Sequence, residues 1–191
     1  MRTLVMALSL TFLLAAPVLA QQGSALQVGI AYNYLHTNAP PKGCGCFSMN
    51  GGNGSAAWRL SSRFALSGEI GVTRATNVTP DGDDLTLTNF LFGPRFYILS
   101  GTSQPEHFHH GLAPFAQVLA GGVHASGTLS GNSSGSSNGF AFAAGGGLDE
   151  SLSRHIALRL FQPEYLYTHI PNGSNNHQNN FSISSGLVIR F

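Results

Sequence analysis

The sequence predicts an all-β fold, an eight-stranded antiparallel up-and-down transmembrane β-barrel, and three observations lead to it. Charged residues make up only 9% of the chain, against about 25% in ordinary soluble domains. Beyond the first 20 residues, no stretch has the roughly 18 consecutive apolar residues that a membrane helix needs. The chain instead repeats short segments in which side-chain character alternates. Because only helices and closed barrels satisfy every backbone polar group in hydrocarbon, a lipid-facing barrel accounts for all three.

Residues 1–20 are predicted to be a signal peptide that takes no part in the fold. Arg2 supplies a positive charge, residues 4–16 form an almost uninterrupted apolar run, and cleavage is expected after Ala20. Residues 21–191 are then long enough for a single barrel domain.

Eight strands are predicted from the alternation of apolar with small or polar residues. They cover residues 25–36, 55–62, 64–75, 84–99, 112–125, 138–148, 155–169 and 179–191. The last is the clearest: Phe181, Ile183, Leu187, Ile189 and Phe191 share one face with Ser185, and Ser182, Ser184, Gly186, Val188 and Arg190 share the other. A period of two is the mark of a strand, because successive side chains point to opposite faces. We expect the apolar face to contact lipid.

The opposite faces of these strands are rich in Gly, Ala and Ser and also carry charge. An eight-stranded barrel is just wide enough inside to be filled by side chains. The charged residues expected there are Arg59, Glu69, Arg95, Asp149, Arg159, Glu164 and Arg190. Since buried charges are tolerated when they are paired, we expect a network that plugs the lumen. A gated pore lined by charge is the alternative.

In the seventh strand, the alternation of inward and outward side chains does not continue unchanged along its length. Continuing the alternation of Ile156 and Leu158 would point Gln162 and Glu164 into lipid, at a cost of several kcal/mol. A β-bulge at residues 161–163 would turn both side chains inward, and proline at a bulge avoids a lost ladder bond.

A hairpin centred near Asn175 would make Arg159 and Arg190 direct cross-strand partners. Two arginines in a narrow lumen require a carboxylate, and a bidentate one suits guanidinium geometry. Asp149 is the expected partner, with Glu69 and Glu164 as alternatives.

At this point the chain resembles the OmpA-like transmembrane domain and the opacity-type porin barrels. The resemblance rests on the signal peptide, the eight alternating strands, the terminal Phe191, and the segments Leu91-Phe92-Gly93-Pro94-Arg95-Phe96 and Pro114-Phe115-Ala116. It implies the outer membrane of a Gram-negative-type bacterium and insertion by the outer-membrane assembly machinery, for which Phe191 would be the C-terminal signal. Outer-membrane lipid is then the expected partner and a monomer the expected state. Nucleic acid is not expected, because the Lys and Arg residues are scattered.

The connections between the predicted strands alternate in length and polarity, as they do in outer-membrane barrels. The external loops are expected at residues 37–54, 76–83, 126–137 and 170–178. The segment 100–111 is long for a periplasmic turn. The longest external loop holds Cys44 and Cys46, for which a local disulfide is expected and a metal or redox role is the alternative.

No catalytic residue, cofactor or metal site is predicted. The histidines at 107, 109 and 110 are expected to be solvated, although imidazole can ligate metals. A lipid-modifying barrel enzyme would need an acid beside His124 and Ser126, and the sequence places none there. We therefore predict a structural or surface-interaction role, with a narrow porin for small solutes as the alternative.

A secreted lipocalin-like carrier is a further alternative, and it makes the opposite prediction about side-chain direction. Its large side chains would face inward around a cavity, whereas a membrane barrel turns them outward. The direction of Phe90, Phe140 and Phe181 therefore distinguishes the two.

We predict that residues 21–191 fold only in a membrane or in detergent, because the outward rows of Phe, Leu and Ile are accompanied by so few charges. The folded protein should show heat-modifiable mobility on a gel. A monodisperse monomer in detergent-free buffer would contradict the barrel.

Overall fold

The computed structural model describes residues 26–37, 46–78, 84–98, 111–129, 133–170 and 176–191. Eight strands lie there: β1 (Leu26–Thr37), β2 (Phe47–Arg59), β3 (Phe64–Ala75), β4 (Asp84–Tyr97), β5 (Gly111–Leu129), β6 (Ser133–Ser151), β7 (Ile156–His169) and β8 (His177–Arg190). They form a closed antiparallel barrel in chain order, with β8 pairing back onto β1. The predicted fold class is confirmed. In the described ranges, no helix is long and apolar enough to cross a membrane.

The large apolar side chains point outward. Phe90, Phe140 and Phe181 are 52%, 51% and 51% exposed. The positions between them in the strands are mostly buried, and they include polar, charged and small residues as well as some apolar ones. This distribution is the inverse of a soluble β-barrel, and it excludes the lipocalin-like alternative.

The apolar outer surface ends at one level on all eight strands. The first polar residue beyond it on each strand, in order from β1 to β8, is His36, Asn50, Arg74, Thr88, His124, Asn138, His169 and Asn179. Strand pairing joins Asn50 to Arg74, and His124 to both Thr88 and Asn138. We call this set the polar ring. The end of the barrel beyond it is the loop end, and the opposite end, which holds Leu26 and Phe191, is the turn end.

The β5–β6 hairpin extends farther than the others. Its strands have 19 residues each, whereas the predicted strands stopped at 125 and restarted at 138. Residues 125–129 and 133–137 lie beyond the polar ring, which is roughly 16 Å along the strand at about 3.3 Å per residue. Most of the predicted loop 126–137 is therefore strand.

Two more predicted boundaries are wrong. β2 begins at Phe47 and not at residue 55, so much of the expected loop 37–54 is strand. It ends at Arg59, where the Leu60 N–H donates to the Phe64 carbonyl at 2.9 Å and turns the chain. β6 continues to Ser151, so Asp149, one residue past the predicted end of this strand, lies within it.

The bulge predicted in the seventh strand is confirmed. The register of β7 shifts against β8 between Arg159 and Gln162. As a result Gln162 and Glu164 are buried, while Tyr165 is exposed on the outer surface.

Glycines at inward positions allow neighbouring strands to approach closely. A Cβ atom on Gly51 would lie 1.9 Å from the Val72 carbonyl oxygen and 2.8 Å from the Thr73 Cα. Gly54, at an outward position of the same strand, would place its Cβ in open space, with nothing within 4 Å. The two glycines are therefore a matched pair.

We expect Gly51→Ala to lower the free energy of unfolding by about 1–3 kcal/mol, because the β2 and β3 backbones would have to move apart. Gly54→Ala should leave it nearly unchanged. The urea midpoints of the two variants in detergent measure this difference. Equal midpoints would show that close strand approach is not required.

Candidate functional site

A chain of hydrogen bonds crosses the middle of the lumen. Glu69 of β3 accepts from the Asn53 amide at 2.9 Å and, with its other oxygen, from the Gln162 amide at 3.1 Å. The Gln162 carbonyl oxygen in turn accepts from Arg159 Nη1 at 2.7 Å. The bulge in β7 is what turns Gln162 into this position. The chain thereby links β2, β3 and β7 through side chains alone.

Arg159 and Asp149 form a buried bidentate ion pair. Arg159 Nε donates to Asp149 Oδ1 at 2.8 Å, and Nη2 donates to Oδ2 at 3.1 Å. Their side chains are 3% and 0% exposed. The two residues are direct partners in the β6–β7 ladder. Two parallel N–H···O bonds satisfy both carboxylate oxygens, which is the arrangement in which a buried charge pair is tolerated.

A second chain of hydrogen bonds holds Arg95. Its Nε donates to the Gln117 carbonyl oxygen at 2.8 Å, and the Gln117 amide donates to Glu164 Oε1 at 2.6 Å. Arg95 and Gln117 are ladder partners on β4 and β5. All three side chains are buried. A neutral amide thus lies between this guanidinium and the carboxylate.

Two aromatic rings organise the arginines at the turn end. The ring centroids of Tyr97 and Phe115 are 6.3 Å apart. The guanidinium carbon of Arg59 lies 4.1 Å from the Tyr97 centroid. Those of Arg95 and Arg159 lie 4.3 Å and 4.9 Å from the Phe115 centroid. Such cation–π contacts stabilise a desolvated guanidinium and fix its plane.

Tyr97 also ties the aromatic pair to the far side of the barrel. Its hydroxyl donates to the Gln27 carbonyl oxygen at 2.8 Å. Gln27 lies on β1, directly opposite Arg190 of β8. The contact therefore spans the lumen from β4 to β1.

The predicted pairing of Arg159 with Arg190 is wrong. Arg159 is opposite Gly186, because the β7–β8 hairpin is centred nearer the chain start than expected and β7 contains the bulge. Arg190 instead donates from Nη1 to Ser151 Oγ at 2.7 Å. Of the two arginines, Arg159 is the one that Asp149 holds in a bidentate pair.

A cluster of buried apolar side chains lies in the loop-end half of the lumen, and the sequence did not predict it. Its buried members are Leu35, Met49, Ala75, Leu87, Leu91, Leu119, Val123, Ala141, Ala143, Leu166 and Ile170. The alternation of each strand could have indicated these residues, because Leu35 and Leu91 both occupy inward positions of their strands. Because apolar residues also occupy the outward positions nearby, there was no contrast between the faces.

The seven charged residues predicted for the interior occupy two levels of burial. Glu69, Arg95, Asp149, Arg159 and Glu164 are buried, and Arg59 and Arg190 are half-buried.

Among the remaining predicted features, Cys46 and Phe191 lie within the described ranges. Cys46 is exposed, whereas Cys44, the histidines at 107, 109 and 110, and residues 1–20 lie outside the described ranges. Phe191 is exposed, and its N–H donates to the Leu26 carbonyl at 2.9 Å.

The described residues contain no group of three or more His, Cys, Asp or Glu side chains able to hold a metal. His124 and Ser126 share an outward face. The Nδ1 of His124 pairs with the Asn138 side-chain oxygen at 2.6 Å, so its partner is an amide and not an acid.

An apolar outer belt around a closed barrel with buried polar and charged side chains inside is typical of a membrane-spanning β-barrel. Residues 6–191 match the family described as the outer membrane protein beta-barrel domain, and the chain belongs to that family. Membership indicates the outer membrane of a Gram-negative-type bacterium. Because the short turns of such barrels face the periplasm, we expect the turn end there. No curated protein sequence matches the chain.

Solved structures of small outer-membrane barrels share the fold. The neisserial surface protein NspA matches with a TM-score of 0.64 at 16% identity, over 88% of this chain and 98% of its own. Ail of Yersinia pestis matches with a TM-score of 0.54 at 16% identity, over 86% of this chain and 98% of its own. OprG of Pseudomonas aeruginosa matches with a TM-score of 0.55 at 10% identity, over 88% of this chain and 96% of its own. At these identities the likeness concerns the fold alone.

We expect Asp149→Ala to lower the free energy of unfolding by about 3–5 kcal/mol, because Arg159 would remain buried without its charge partner. Adding Arg159→Met should recover much of that loss by removing the orphaned charge. The urea midpoint in detergent measures both variants. A single variant that unfolds at the wild-type midpoint would show that the pair does not stabilise the barrel.

Proposed function

We propose that this protein is a sealed outer-membrane barrel with a structural or surface-interaction role. The proposal is supported by the buried side chains that the described strands direct into the lumen at each level. Arginines stacked on Tyr97 and Phe115 occupy the turn end, the amide–carboxylate chains occupy the middle, and the apolar cluster occupies the loop-end half.

The apolar cluster is the strongest barrier to ions. Leu35, Met49 and Leu119 within it are almost completely buried. An ion that crossed this region would lose its hydration shell without gaining polar partners, and desolvating a charge in an apolar environment is very costly. The filled lumen therefore supports a sealed barrel over a narrow porin.

The β5–β6 hairpin supports a surface-interaction role. Its backbone continues beyond the polar ring, and β6 pairs with β7 only from Phe140 onward among the described residues. The opposite edge of residues 133–139 therefore has no strand partner in the described part of the chain. An open edge carries unpaired N–H and C=O groups, and an extended segment of another protein can add to it as a strand.

We expect no stable conductance from the wild-type barrel in planar bilayers. The double variant Leu91→Ala, Leu119→Ala should show measurable leak, because it removes side chains that fill the lumen. Leu112→Ala, on the outer surface, is the matched control and should stay silent. A large conductance in every inserted wild-type molecule would overturn the sealed barrel and support the porin.

Shortening the β5–β6 hairpin should leave the barrel intact. A turn that replaces residues 127–135 removes strand beyond the polar ring and spares the lumen layers. The variant should keep heat-modifiable mobility and a urea midpoint close to that of the wild type. A variant that fails to fold would show that the hairpin serves the barrel and not its surface.

A further inference from the structure

The turn end of the lumen holds more positive than negative charge. Among the described residues, four interior arginines, at 59, 95, 159 and 190, accompany three interior carboxylates. Asp149 is bonded to Arg159. The other two carboxylates accept from neutral amides: Glu69 from Asn53 and Gln162, and Glu164 from Gln117. In the described part of the chain, no carboxylate lies within 4 Å of Arg59, Arg95 or Arg190 in an ion pair.

The same region contains buried donors that lack acceptors. Among the described residues, five buried side-chain atoms have no hydrogen-bond partner, and four of them are donors: Arg59 Nε, Ser67 Oγ, Arg95 Nη2 and Arg190 Nε. Ser67 is the ladder partner of Gly93, two residues from Arg95 on β4. Buried polar groups are normally satisfied by protein, water or an ion. What is missing here is an acceptor.

We propose that the periplasmic mouth of this lumen binds a small inorganic anion between Arg59 and Arg190, next to Arg95. Arg59 and Arg190 are half-buried, and the buried Arg95 stacks on the ring next to the one that Arg59 covers. An anion supplies acceptors and balances the surplus charge at once, while water supplies only acceptors. Planar guanidinium groups offer paired donors that match an oxyanion.

The aromatic pair gives this site its rigidity. Arg59 is stacked on Tyr97 and Arg95 on Phe115, so the planes of two guanidinium groups are set before a ligand arrives. Preorganised donors lose little conformational freedom on binding. The anion site goes beyond the proposed function and does not depend on whether the lumen conducts.

Inorganic phosphate is the probe, titrated at constant ionic strength into the detergent-folded barrel and followed by calorimetry. We expect saturable binding with one phosphate per barrel, and competition by chloride. Arg59→Gln and Arg190→Gln should each weaken binding by about tenfold or more, because each removes charged hydrogen bonds. Arg63→Gln is the matched control: Arg63 lies at the same end but is exposed in the β2–β3 turn. It should change the affinity by less than about twofold.

Each outcome decides the proposal. Every variant is first checked for heat-modifiable mobility, so that loss of binding is not confused with loss of fold. Absence of saturable phosphate binding by the wild type would mean that water satisfies the orphaned donors, and the site would be rejected. If Arg63→Gln weakened phosphate binding equally, the binding would depend only on the general charge of the turn end, and the proposed site would also be rejected.

Discussion

Every backbone N–H and C=O group inside the hydrocarbon must find a partner within the protein, and the rest of this structure depends on that constraint. An antiparallel sheet meets it only by closing, as β8 does on β1. Closure with eight strands leaves an interior wide enough for side chains alone. The inward glycines, such as Gly51 against Val72, allow the strands to close this tightly. The outside must then be apolar, and the inside must be filled.

Filling the inside with charge imposes its own requirement, because each buried ion needs partners. Asp149 and Arg159 satisfy each other, and Gln162 and Gln117 connect the remaining carboxylates to arginines through neutral amides. Tyr97 and Phe115 support the guanidinium groups by stacking. The polar layer thus links strands that are not neighbours in the sheet. At the periplasmic mouth the described arginines outnumber the carboxylates that pair with them, so positive charge is in excess.

The sequence predicted those features that depend on a clear difference between the two faces of a strand. The two faces of β8 differ clearly, and Gln162 and Glu164 could not both remain in phase with Ile156, so the bulge was predictable. The start of β2 was not predictable, because Gly52 and Gly54 occupy its outward positions and give no apolar face. The sequence did not predict the apolar cluster around Leu119 for the opposite reason, because both faces of the strands near it are apolar. The partner of Arg190 depended on a register offset that the loop sequence does not reveal.

The central claim is that the apolar outer surface of this closed barrel faces lipid. Trp58 tests it directly, because it is the only tryptophan of the chain and lies exposed on the outer face of β2. Its fluorescence should be strongly quenched in vesicles of lipids brominated on their acyl chains, and only weakly by aqueous acrylamide. Strong acrylamide quenching without any effect of the brominated lipids would contradict the account.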